Sequence, residues 1–165
     1  MQLIYIIDDR MKNREKNIQD LRRSMQTIMR SFPSSDSETP CGIKISTSFA
    51  HVLFALYSLR GVLINQQLLA RELSIDKSTI ARLCGALEEQ GFIKVTVFQD
   101  DKRNRTIQLS TKGLKLAKKI KKQGDVHFGS ILDNIPRGKV EDVLKALKLL
   151  TKALALSSQQ GGDQN

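Results

Sequence analysis

The chain has 165 residues, with 27 Lys and Arg against 17 Asp and Glu, a formal net charge of +10. That length fits one domain, or one domain with an attached arm, and the positive excess points to a polyanion, either nucleic acid or an acidic membrane face. No run approaches the roughly 20 apolar residues of a spanning helix, and two cysteines, Cys41 and Cys84, do not make a disulfide framework.

In chain order, the first seven residues (MQLIYII) are apolar but too short for a signal sequence, and Asp8 and Asp9 come directly after them. A cytoplasmic protein is expected. MQLIYII either extends the next helix or forms a short strand. Met11, Ile18, Met25 and Phe32 recur every seven residues, and Leu21 and Ile28 fall on the same stripe. This predicts a helix over about residues 8–32 with a seam facing another helix, made imperfect by Arg14. Residues 31–42 (SFPSSDSETPCG) read as a linker, with Pro33 and Pro40. Cys41 within it has no neighbouring motif that marks a redox sensor. A helix from Ser46 or Thr47 to Gly61 presents Phe49, Val52, Leu53, Leu56 and Leu59 as a broad apolar face. It reads as a buried brace, with His51 a partly buried structural histidine. Leu63 and Ile64 form a short extended entry to the next helix.

Residues 64–113 organise the chain. Asn65 caps a helix with apolar positions Leu69, Ala70 and Leu73, and Asp76 caps a second one. Lys77, Ser78 and Thr79 occupy its first turn. Ile80, Leu83, Cys84 and Leu87 make one apolar face, with Cys84 as a small hydrophobe. Ser78, Ala81, Arg82 and Gly85 make the opposite one. Such a face suits a major groove about 12 Å wide, where Arg82 can pair with a guanine edge and Ser78 or Thr79 with base or phosphate. An ordinary solvated outer face is the alternative. Gln90-Gly91 ends the helix, with glycine where a left-handed cap is wanted. Phe92 to Phe98 reads as a strand, Gln99 to Arg105 (QDDKRNR) as a hairpin, and Thr106 to Ser110 as the return strand. The basic tip suits the arginine-attracting minor groove of A·T-rich DNA. Asp101 can hold the Arg103 guanidinium through a bidentate pair. A solvated turn is the rival reading of the tip. The order helix, turn, helix, wing is that of a DNA reader.

Thr111 opens a long helix carrying Leu114, Ala117, Ile120, Phe128, Ile131 and Leu132 at helical spacing. Lys118, Lys119, Lys121 and Lys122 read as its solvated face, with contact to DNA phosphates as the alternative, and Gly124 as a place where it can bend. Asn134-Ile135-Pro136 breaks it, with Pro136 suited to the first turn of the next helix. Val140, Val143, Leu144, Leu147, Leu150 and Leu154 form another apolar stripe, and the tail from Ser157 has too little apolar content to order itself. From Asp76 to Lys122 there are 12 Lys and Arg and 5 Asp and Glu, so +7 of the total charge lies in the reader, wing and adjoining helix. The terminal helices have apolar faces that the compact reader cannot cover alone. A two-fold homodimer would bury them and set two recognition helices about 34 Å apart, on a near-palindromic site.

The run DKSTIARLCGALEEQGFIKV, then Asp101-x-Arg103 and Leu109-Ser110-x-Lys112-Gly113, resembles the MarR family of transcription regulators; Ser110 stands where that family has threonine. The resemblance covers roughly residues 45–155. It implies a mainly α fold with a small β-wing, a winged helix-turn-helix beside a helical dimerisation domain. It also implies that Arg103 enters the minor groove, that Asp101 orients it, and that Asn65, Gln66 and Gln67 touch phosphate. In that family small phenolic effectors bind between the dimer helices and the reader, though no residues here signal a specific pocket. The expected DNA contacts are Asn65, Gln66, Gln67, Lys77, Ser78, Thr79, Arg82, Lys102, Arg103 and Arg105. The expected divisions are 1–33 (dimerisation helix), 34–44 (linker), 45–113 (winged helix), 114–156 (dimerisation helices) and 157–165 (disordered tail).

Catalysis lacks its parts. His51 and His127 are the two histidines, with no Ser-His-Asp arrangement, Gly-rich phosphate loop or metal-spaced Cys/His cluster. No catalytic residue, metal or cofactor is expected, and no membrane partner. The expectation is a dimeric repressor binding double-stranded DNA. The rivals are a winged-helix protein-interaction module and a non-regulatory DNA-binding factor of replication or architecture.

Overall fold

The computed structural model describes residues 2–32, 39, 42–98 and 101–160, without the side chains of 2–11, 97–98, 101–104 and 158–160. The described elements are α1 (Gln2–Ser31), α2 (Thr47–Ser58), α3 (Gln66–Leu73), α4 (Lys77–Glu89), β1 (Ile93–Phe98), β2 (Asp101–Leu109), α5 (Thr111–Asp133) and α6 (Val140–Gln160). The chain is mainly helical with one small sheet, as the periodicities predict. MQLIYII resolves as helix rather than strand from Gln2 on, and Met11 lies among the side chains outside the description.

The core is built around α2. Ser46 caps it, its hydroxyl accepting from the Phe49 N–H at 3.2 Å. Val52, Leu53 and Leu56 are fully buried, with Leu69 of α3, Ile80 and Leu87 of α4, Ile93 of β1, Ile107 of β2 and Ala117 of α5 around them. Each large apolar side chain in that set contributes roughly 1.5–3 kcal/mol by leaving water. Thr39 and Ile43 are also buried, and the Ile43 N–H donates to the Thr39 hydroxyl at 3.1 Å. Cys41 and residues 33–38 of the expected linker lie outside the described residues. His51 differs from expectation. It is exposed and lines a cavity between α2 and α5.

Between α3 and α4 the turn is closed by Ser74 in the left-handed region (φ 53), its N–H donating back to α3. A serine can occupy such a single position, though glycine adopts it more readily. The strands pair antiparallel, with Ile93 opposite Leu109 and Val95 opposite Ile107. The expected hairpin over Gln99 to Arg105 is much shorter than composition suggests, since β2 already begins at Asp101. The register jumps between Val97, opposite Arg105, and Phe98, opposite Asp101. Charged, turn-forming residues read as loop, but main-chain pairing does not depend on them, and surplus residues are absorbed as a bulge. Thr106 is buried although polar; its hydroxyl donates to the Thr96 carbonyl at 3.4 Å.

Helix α5 runs unbroken through Gly124 and stops at the Asn134 cap. Pro136 does not open α6. It lies in an intervening turn, where the Lys139 N–H donates to the Pro136 carbonyl at 2.9 Å and Gly138 takes φ 84. Helix α6 continues through Gln160, so the expected disordered tail is helical over its first residues. Among the described side chains, α1 and α6 add nothing to the core. Ile18, Leu21, Ile28 and Met29 of α1 are exposed, as are Leu144, Leu147, Leu149, Leu154 and Leu156 of α6.

Candidate nucleic-acid interface

Helix α4 divides cleanly into two faces. Ile80, Leu83, Cys84 and Leu87 are buried, while Lys77, Ser78, Ala81, Arg82 and Gly85 are exposed. The inner set grips α2 and α3, so core packing sets the orientation of the outer set. Asp76 holds the start of α4: its Oδ1 accepts from the Thr79 N–H at 2.8 Å and from the Ser78 hydroxyl. The Ser78 hydrogen bond, then that of Thr79, keeps this carboxyl well below the usual carboxylate range. Ser78 therefore meets any ligand with its proton already committed and its lone pairs free to accept.

A depressed carboxyl pKa sets the sign of a pH effect. The folded chain holds Asp76 ionised where the unfolded chain has begun to protonate it, so this stabilisation is present above pH about 4 and is lost on further acidification. Asp76→Ala is expected to melt below the wild type at neutral pH, and the gap should close as pH falls towards the folded-state pKa. Melting curves monitored by circular dichroism across that range check it; a gap independent of pH would refute the ionic cap.

Asn65 caps α3, its Oδ1 accepting from the Leu68 N–H at 2.8 Å, which leaves its amide N–H groups free to donate. Gln66 is half-buried and Gln67 exposed; Thr79 is half-buried. Arg105 is exposed on β2. The side chains of Asp101, Lys102 and Arg103 are outside the described residues, and with them the expected Asp101–Arg103 pair. The structure thus places Ser78 and Arg82 on one exposed helix face, with Lys77 exposed in the first turn beside them.

The joint between reader and wing is not apparent from the sequence. The Ser110 N–H donates to the Phe92 carbonyl at 3.0 Å, and the Ser110 hydroxyl to the Gly91 carbonyl at 2.7 Å while accepting from the Gly113 N–H at 3.0 Å. Lys112 reaches back to the Gln90 carbonyl at 2.8 Å, its ammonium 4.4 Å from the centre of the Phe92 ring. Glu88 accepts from the Val95 N–H at 3.1 Å. These contacts clamp the exit of α4 between β1 and the first turn of α5. Only the Leu109-Ser110-x-Lys112-Gly113 spacing hints at them. At the other edge of β2 the Ile107 N–H donates to the Ile64 carbonyl at 2.7 Å.

Cys84 is a buried free thiol, pushed up to about 11 by burial and by the charge of Glu88. It is packing material, not a nucleophile. Among the described residues no helix is long and apolar enough to cross a membrane.

The profile of the MarR family matches residues 45–104, from the turn before α2 into the wing. That matched segment, α2 through the start of the wing, is what the chain shares with the MarR family. Among solved structures, the MarR-type fold recurs in the S. aureus MepR–DNA complex, at 23% identity over 67% of this chain and 78% of that one, TM-score 0.61. It recurs in Streptococcus pneumoniae FabT in complex with DNA, at 20% identity over 67% of this chain and 76% of that one, TM-score 0.58. S. aureus MepR in a DNA-binding conformation gives 24% identity, 67% and 80% coverage and a TM-score of 0.59. At these identities the likeness is one of fold. No curated protein matches the chain by sequence.

Proposed function

We propose that this chain is a dimeric, sequence-specific transcription regulator that represses by occupying near-palindromic operators in double-stranded DNA. The observation that carries this reading is the exposed face of α4, with Lys77, Ser78 and Arg82 held outward by a fully buried opposite face. Arg82 reads a base edge, Lys77 and the start of α3 meet phosphate, and Arg103 at the wing enters the minor groove. Homodimerisation is supported by the uncovered apolar side chains of α1 and α6, which a second copy would bury. A small, mostly apolar effector suits a cavity of about 430 Å³ lined by Phe32, Phe54, Phe128, Ile43, Ile120 and His51. It lies where the end of α1 meets α2 and α5, so an occupant there touches both the dimer arm and the reader's brace.

Duplex binding measured by fluorescence anisotropy at two salt concentrations tests the reading. A dimer neutralising about six phosphates should lose roughly a thousandfold in affinity between about 50 and 200 mM salt. Selection from a random duplex pool should then enrich an inverted repeat. A chain that ignores every duplex offered would leave only the protein-interaction alternative.

A further inference from the structure

Ser78 and Arg82 lie one turn apart on the exposed face of α4, and they offer a ligand opposite groups. Arg82 has N–H donors and no acceptor. A serine hydroxyl has one proton and two lone pairs, and when unattached can turn either outward. The Ser78 hydroxyl is attached, because it donates to Asp76 Oδ1. That oxygen also accepts from the Thr79 N–H at 2.8 Å, which pins the carboxylate to the helix backbone.

This attachment sorts the partners that Ser78 can take. A hydrogen bond to an ionised acceptor is roughly twice as strong as a neutral one. Turning the proton outward to guanine O6 or N7, or to thymine O4, therefore gives up more than it gains. A phosphate oxygen is charged as well, but it would sit beside the Asp76 carboxylate and be repelled by it. A neutral donor meets the outward lone pairs without either loss. The major groove offers two, the N6 amine of adenine and the N4 amine of cytosine. Asn65 at the start of α3 is the reverse case: its Oδ1 is taken by the Leu68 N–H and its amide N–H groups are left to donate.

We propose that Asp76 is a positioning residue that makes Ser78 an acceptor-only reader, so that each half-site presents an adenine or cytosine amine to Ser78. Arg82 follows about 6 Å further along the helix axis. Its guanine and the base read by Ser78 thus fall within two steps of about 3.4 Å. The inference rests on the DNA-binding reading above and adds a class of base to it.

The test uses the full-length chain and the duplex that it enriches from a random pool. Each adenine or cytosine of the half-site is replaced in turn by purine or 2-pyrimidinone, the analogues without the exocyclic amine. One such deletion, within two steps of the position that Arg82→Ala relaxes, should weaken wild-type binding roughly fivefold, the scale of one neutral hydrogen bond. Ser78→Ala should bind the intact and amine-less sites equally. Asp76→Asn keeps a capping oxygen but lacks the charge that holds the hydroxyl proton, so the effect of the amine should shrink to below about twofold. A wild type indifferent to every amine in that window would overturn the proposal. So would a Ser78→Ala loss that is the same on all sequences, the mark of a phosphate contact. Full sensitivity to the amine in Asp76→Asn would overturn the positioning role. A wild type that binds no duplex would overturn both this inference and the reading beneath it, whereas a binding wild type with no sensitive amine sinks this one alone.

Discussion

Gly113→Ala is expected to cost roughly 3 kcal/mol, the upper part of the range for forcing extra atoms into a packed site. Gly113 is buried in the first turn of α5, and an added Cβ would fall 1.9 Å from the Phe92 carbonyl oxygen and 2.9 Å from its carbon. The obstacle is backbone, so no side chain can swing aside. Nor can the carbonyl retreat freely, because it accepts the Ser110 N–H at the junction of β1 and α5. For a chain of this size the loss corresponds to a melting temperature roughly 6–12 °C lower. Gly124→Ala in the same helix is the control: a Cβ there meets nothing within 4 Å, and a gain of up to about 1 kcal/mol is expected from better helix propensity. Calorimetry on the two variants gives opposite signs if the close approach at Phe92 is real, and the same sign if it is not.

The second large effect concerns the division of labour between helix and wing. Arg82→Ala should relax base choice and cost about 1–3 kcal/mol at the cognate base pair, since a bidentate base contact is worth that much in discrimination. Arg103→Ala should weaken binding most where the flanks are A·T-rich, because a narrow minor groove concentrates the negative potential that draws arginine in. Affinities for the selected site, for single-base variants of it and for flank variants separate the two. Equal losses on random DNA for both substitutions would abolish the distinction between a base-reading and a groove-sensing arginine.

What the sequence makes legible is everything whose cause is local. Asn65 and Asp76 announce two helix starts because capping needs only a side-chain oxygen and the next few N–H groups. Ile80, Leu83, Cys84 and Leu87 announce the buried side of α4 by spacing alone. The misses share a different origin. His51 sits on a brace helix, but whether it is covered depends on how closely other elements approach, and a cavity separates it from α5. Pro136 satisfies the rule for a first helical turn, yet a turn through Gly138 intervenes. The run from Asp101 to Arg105 reads as loop because Asp, Lys and Asn favour turns, while strand pairing is a main-chain property. Gly113 is only one letter of a family pattern; its role is a contact with Phe92 in the strand entry, far outside any local window.

Strand β2 is fastened along both edges, to β1 through the ladder and to residue 64 through the Ile107 N–H. The base of the finger is therefore held on both sides. Any torque on its tip is delivered to the entry of α3 and, through the clamp at Ser110 and Lys112, to the exit of α4. On the DNA-binding reading proposed above, a wing anchored in this way passes load directly to the helix that reads the groove.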